Sequence, residues 1–132
     1  MRIALDTNVL VRYLTWDDDV QSPRAAEAIE GAETVIVSGI VLCETARVLA
    51  RSYNRPTTEI AAVLRRFIQA DSVDVDRPLA EAGLANLDRG GDFSDGVILM
   101  EAERAKADHL ITFDQAFFKR AKSARLKWLD AP

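Results

Sequence analysis

Short apolar runs alternating with longer amphipathic ones constrain this chain more than any other feature. Ile3–Leu5, Val35–Val37, Val73–Val75, Leu110–Ile111 and Leu126–Leu129 are of strand length, and each is separated from the next by enough chain for one or two helices. Parallel strands need such crossovers, because a tight turn cannot return a strand in the same direction. The pattern predicts an α/β fold, a parallel sheet covered by helices. With 132 residues there is material for one core but not comfortably for two, so a single domain over residues 1–132 is expected.

The helical segments carry their own signals. Thr7-Asn8 opens a helix bearing Val9, Leu10, Tyr13 and Leu14, and Ser22-Pro23 opens a second, with Ser as cap and Pro at the first position. Ser38 caps a helix holding Cys43 to Arg51. Asn54-Arg55-Pro56 breaks the chain, after which Ile60, Val63, Leu64, Phe67 and Ile68 keep the i, i+3, i+4, i+7, i+8 spacing of an amphipathic helix. Pro78 to Leu87 is helical and Gly90-Gly91 closes it. Ser94 caps a further helix to about Lys106, and a short one spans Asp114 to Arg120.

Four acids stand where the chain leaves apolar runs, or just past them: Asp6, Glu44, Asp95 and Asp114. In open parallel sheets, ligands bind beyond the carboxyl ends of the strands. Asp6 follows the first strand directly and Asp114 follows the fourth by two residues. Asp95 opens a helix after the glycine turn, and Glu44, about two turns into its helix, has the reach to point back. Two carboxylates about 4 Å apart repel by roughly 4 kcal/mol at an effective dielectric of 20. Four that converge need a hard divalent cation with oxygen ligands, Mg²⁺ or Mn²⁺. Each acid also has a plainer reading: Asp6, Asp95 and Asp114 as helix caps, Glu44 as an exposed helix residue.

The net charge of −4 does not advertise a nucleic-acid binder, but its distribution is uneven. Lys119, Arg120, Lys122, Arg125 and Lys127 follow one another with no acid between. Arg47, Arg51 and Arg55 lie at i+3, i+7 and i+11 from Glu44, on one face if that helix persists. Either set could meet phosphates or a protein partner, and a solvated surface is the plainer reading. The lone Cys43 excludes an intramolecular disulfide and a cysteine-based zinc site; Cys43 and the single His109 read as structural. Asp17-Asp18-Asp19 reads as a solvated turn. No apolar run has membrane-spanning length and the start lacks a secretory pattern, so a cytoplasmic protein is expected.

The strings Leu5-Asp6-Thr7-Asn8, Glu44 within an apolar helix, Asp92-Phe93-Ser94-Asp95 and Ile111-Thr112-Phe113-Asp114 resemble, in order and spacing, the PIN-domain pattern. More narrowly they are similar to the VapC-like toxin ribonucleases of toxin–antitoxin pairs. The resemblance implies a three-layer α/β/α sandwich around a parallel sheet of about five strands, and a Mg²⁺- or Mn²⁺-dependent endoribonuclease acting on RNA such as transfer or ribosomal RNA. It implies Asp6, Glu44, Asp95 and Asp114 as the acidic, metal-binding set, with Asp92, Asn8 and Thr112 orienting carboxylates or water. It further implies a cognate antitoxin and a homodimer, the latter through the apolar surface near Tyr13 and Trp16. Arg47, Arg51, Lys119 and Arg120 are then candidates for RNA or antitoxin contact.

Rival readings make different demands. A phosphoacceptor receiver needs an acidic pair at the first strand and a phosphorylatable Asp after the third; Asp74 is available, but Asp6 is followed by Thr7 and Asn8. A haloacid-dehalogenase phosphatase wants Asp-x-Asp where this chain has Asp6-Thr7-Asn8. A non-catalytic PIN-like binding module needs none of the acids.

Overall fold

A computed structural model describes residues 1–132, with the elements in the order β1 (Arg2–Ala4), α1 (Thr7–Thr15), α2 (Gln21–Glu30), β2 (Thr34–Ile36), α3 (Gly39–Arg51), α4 (Thr57–Ile68), β3 (Val73–Asp74), α5 (Arg77–Asp88), α6 (Phe93–Arg104), β4 (Leu110–Thr112), α7 (Gln115–Ala121) and β5 (Leu126–Trp128). Every strand pair is parallel. β1, β2 and β3 form one ladder, with Val35 in register between Ile3 and Val73. β4 and β5 form a second, with Leu110 opposite Leu126 and Thr112 opposite Trp128. The expected α/β architecture with five parallel strands is present, its hydrogen bonding divided between two ladders. No helix is long and apolar enough to cross a membrane.

The core collects the apolar faces of these elements around β2. Val35 and, from α1, α3, α4 and α5, Leu10, Leu42, Ile60, Leu64 and Leu84 are fully buried, while α2 and α6 add Ile29 and Val97. α4 is the plainest case of sequence dictating packing. Its Ile60, Leu64, Phe67 and Ile68 are buried, while Glu59 and Arg66 on the other face meet water.

Several local expectations are corrected. α2 begins at Gln21, before Ser22, and its free N–H groups go to Asp18, whose Oδ1 accepts from Val20 at 2.9 Å and Gln21 at 2.7 Å. Ser22 is buried instead and donates to the Arg12 carbonyl at 2.8 Å. The Asp17-Asp18-Asp19 run is therefore no idle solvated turn: Asp17 accepts from Arg12, Thr15 and Tyr53, tying the end of α1 to the end of α3. The Tyr53 hydroxyl first, and Thr15 and Arg12 after it, hold the Asp17 carboxyl below its usual range. α6 starts at Phe93 with Asp92 at its cap position, so Ser94 lies inside the first turn. α3 stops at Arg51 and Asn54 adopts a left-handed conformation (φ 52°), which takes Arg55 off the Arg47–Arg51 face. Arg55 pairs with Glu59 at 2.8 Å.

What positions the later half of the molecule is the closeness of α5 and α6. A Cβ at Gly96 would run into the carbonyl oxygen of Ala82 and stand 2.9 Å from Asn86 Cβ; one at Gly83 would enter the ring of Phe93. Only glycine allows this approach. Across the connecting turn, buried Asn86 donates from Nδ2 to the Asp92 carbonyl at 2.7 Å. Arg104, at the far end of α6, grips both oxygens of Asp76 at 2.7 and 2.8 Å, while Asp76 also caps α5 through the Leu79 N–H.

Two tests follow from this packing. Gly96→Ala is expected to destabilise the domain by about 1–3 kcal/mol, read in urea or thermal unfolding, because two backbones must separate. The Asp76 carboxyl is held below its ordinary range, chiefly by Arg104. Its contribution to stability is present above the unfolded-state value of about 4 and is lost as pH falls through the lower folded value. Arg104→Ala should therefore lower Tm at neutral pH, with the two melting curves converging in acid; a pH-independent gap would contradict this.

Candidate active site

Asp6 and Asp114 fall just beyond the carboxyl ends of β1 and β4, Asp92 and Asp95 at the start of α6, and Glu44 within α3. Asp6 is the cap of α1, its Oδ1 accepting from Thr7 N–H at 2.7 Å. Asp114 is the cap of α7, its Oδ1 accepting from Phe117 N–H at 3.0 Å, and its own N–H donates to Thr112 Oγ1 at 3.0 Å. Thr112 thus fixes the backbone that presents Asp114. Both cap readings hold, and each leaves the second carboxylate oxygen without a protein donor. Asp92 occupies the cap position of α6 without making the side-chain capping bond. Its carboxylate is exposed, and its backbone is held by Asn86.

Asp95 sits in the first turn of α6, where the helix dipole favours negative charge. It is half-buried, and its carboxyl is pushed above the ordinary range. Loss of water is the largest cause; the charges of Asp92 and Asp114 add to it, and Arg47 and Arg120 pull the other way. Asp92, Asp95, Asp114, Arg47 and Arg120 therefore share one electrostatic neighbourhood. Arg47 lines a small cavity of about 40 Å³ with Arg51, Asp92 and Ser94, between α3 and the α5–α6 turn.

Glu44 is exposed on α3, one turn before Arg47, and is not among the charges that act on Asp95. Its charge, with that of Glu101 and against that of Arg47, is felt at Cys43, whose thiol is pushed up mainly by burial. Asn8 is exposed on α1, makes no side-chain hydrogen bond to an acid, and faces a groove shared with Arg12 and Arg24. Lys119 and Arg120 occupy the last turn of α7, where they also suit the helix dipole. His109 is exposed and outside the group.

None of the five ion pairs in the chain engages Asp6, Glu44, Asp92, Asp95 or Asp114. No three carboxylate, histidine or cysteine side chains stand close enough to grip an ion unaided. The donor chemistry nonetheless fits a hard ion, because every donor is an oxygen and Mg²⁺ takes one or two carboxylates while keeping water. The largest groove lies elsewhere. About 550 Å³ in volume, it is lined by Tyr13, Ile29, Val63, Phe67 and Val73, at the amino ends of the strands.

Asn86 is the positioning residue that sequence reasoning passed over. Its signal was a polar side chain on the apolar face of α5, flanked by Leu84 and Leu87. Gly83 and Gly96 were equally silent, since their importance lies in what stands opposite them.

Comparison with characterised proteins returns no match. Comparison with known families matches residues 3–123 to the PIN domain, a family of nucleases that generally use divalent metal ions and act on RNA. With nearly the whole chain matched, the protein belongs to the PIN domain family.

Proposed function

We propose that this chain is a metal-dependent endoribonuclease, the VapC-like toxin of a toxin–antitoxin pair, acting in the cytoplasm on transfer or ribosomal RNA. The observation that carries the reading is Asp95: a half-buried carboxylate placed beside Asp92 and Asp114, with two arginines and no ion pair. Such an arrangement raises the energy of the unliganded site and favours any cation that enters it.

Asp6 and Asp95 are assigned as the principal ligands of Mg²⁺ or Mn²⁺, with Glu44 and Asp114 acting through water or at a weaker second position. When bound, the ion supplies a water of lowered pKa and offsets charge on the phosphoryl group. Arg47 and Arg120 stand where they can meet the non-bridging oxygens of a phosphodiester, and Arg51 and Lys119 extend the positive field. Asn86 and Thr112 hold the backbones of Asp92 and Asp114 and so keep the acids from drifting apart. The same basic residues suit an acidic segment of a cognate antitoxin that covers the site. A homodimer is assigned to the region near exposed Trp16 at the end of α1; Tyr13 itself is largely committed to the core, its ring edge-on to Phe67 at 6.0 Å.

One observation favours a second reading, a PIN-like binding module without catalysis: the most capacious groove lies away from the acids. The receiver reading has no such support. In receiver-like folds the third strand neighbours the first, whereas here β2 separates them and keeps Asp74 away from Asp6.

The test is cleavage of single-stranded RNA by the purified chain, freed of any partner. Activity should require Mg²⁺ or Mn²⁺, disappear in EDTA, and fall on the order of 100-fold or more in Asp95→Asn and Asp6→Asn. Arg47→Ala, which keeps the acids, should lose about 10-fold, mostly in KM. Tight antitoxin binding with no cleavage of any RNA would favour the binding module.

A further inference from the structure

Of the five phenylalanines, Phe67, Phe93 and Phe117 are buried and Phe118 packs against Trp128 at 6.2 Å, but Phe113 is 70% exposed and pairs with no other ring. A single exposed apolar side chain is ordinary, but Phe113 shares its strand end with exposed Ile111 and Leu129. Its position is specific. Phe113 leaves β4 immediately before Asp114, in the bend held in shape by the hydrogen bond that the Asp114 N–H donates to Thr112 Oγ1. Two residues back, Ile111 is 58% exposed, and its register partner across the ladder is exposed Lys127. Leu129, exposed as well, continues the pairing by donating to the Thr112 carbonyl at 2.9 Å.

A parallel ladder with an uncovered apolar face is unusual, because parallel sheets are ordinarily buried on both sides. Here the apolar residues come with cations. Lys127 lies in the ladder itself, and Arg120, close enough for its charge to act on Asp95, lies on the helix that Asp114 caps. A flat ring at the end of a ladder that also carries a cation matches the two parts of an unpaired nucleotide, a base that stacks and a phosphate that seeks cations. Phe113 directly precedes Asp114 in the chain, so a base stacked on it would lie next to the acidic site.

We propose that Phe113 is a base-stacking residue that seats an unpaired nucleotide of single-stranded RNA beside the acidic site, with Lys127 and Arg120 meeting the adjoining phosphates. The inference rests on the nuclease reading for its substrate but is tested by affinity, which does not need cleavage. The ring acts through a base, so it has no purchase on duplex RNA, whose bases are already stacked on one another.

The experiment is equilibrium binding of a fluorescein-labelled single-stranded oligoribonucleotide, with EDTA and with Mg²⁺, to the wild type, Phe113→Ala and Phe113→Trp. Because Phe113 is exposed, neither substitution threatens the fold. Phe113→Ala should weaken binding on the order of 10-fold, while Phe113→Trp retains it. An oligonucleotide with one abasic position at the seat should bind the wild type and Phe113→Ala alike, and duplex RNA should show no difference between them. Unchanged affinity and KM in Phe113→Ala, with the wild type still cleaving, would overturn the stacking role and leave the nuclease reading intact. Weakened binding in Phe113→Ala with no cleavage by the wild type would uphold stacking and sink the nuclease. A gap that persists on the abasic strand, or a change in assembly mass by sedimentation with RNA affinity unaltered, would overturn the proposal, the latter assigning this face to a protein. RNA bound under neither condition would overturn both.

Discussion

The site depends on how closely two helices approach. α5 and α6 are joined by a short turn, and Gly83 and Gly96 remove the side chains that would hold them apart. The closeness has two effects. It presses Phe93 into the core, and it seats the first turn of α6, with Asp92 and Asp95, against a fixed neighbour. Asn86 completes the arrangement by holding the Asp92 carbonyl from inside. A carboxylate on a loop could relax away from another carboxylate. One carried on a helix that cannot move has no such freedom, and Asp95 accordingly remains partly dehydrated beside two like charges.

Two of the acids have a structural role of their own. Asp6 and Asp114 start helices, and in doing so each uses one oxygen for a backbone N–H and keeps the other free. Capping orients the side chain at the sheet rim, so under the proposed reading stability and metal binding would draw on the same residue without conflict. The chain pairs acids for purely structural work elsewhere: Asp76 with Arg104, Asp88 with Arg65, Asp17 with Arg12. The contrast is informative because arginines stand near the rim acids too, yet none closes an ion pair there. Arg47 and Arg120 lower the cost of the anionic cluster at a distance, a milder compensation that leaves oxygens available.

Much of the fold was legible in the chain because its signals are local. The apolar period of α4, the break at Asn54-Arg55-Pro56 and the capping Ser38 each act over a few residues and appear where expected. The misreadings came where two local signals competed. Asp18 took the role assigned to Ser22, a carboxylate at the preceding bend being as good an acceptor as a hydroxyl, and Asp92 took the cap position assigned to Ser94 without making a side-chain capping bond. What could not be read was whatever depends on the residue opposite. The glycine contacts, the Asn86 bond and the bare outer side of β4 and β5 exist only once distant segments meet. Of the candidate site, its chemistry was visible in four carboxylates and a family-like order, while the arginines nearest Asp95 could be named only among several basic candidates.

The central claim is that the acids around Asp95 form a place for a hard divalent cation. Titration of the metal-free protein with Mn²⁺, following free ion by electron paramagnetic resonance, addresses it without reference to any substrate. The account expects saturable binding that Mg²⁺ competes away and that Asp95→Asn weakens by about 10-fold or more. Absence of saturable binding, or binding undiminished in Asp95→Asn, would contradict it.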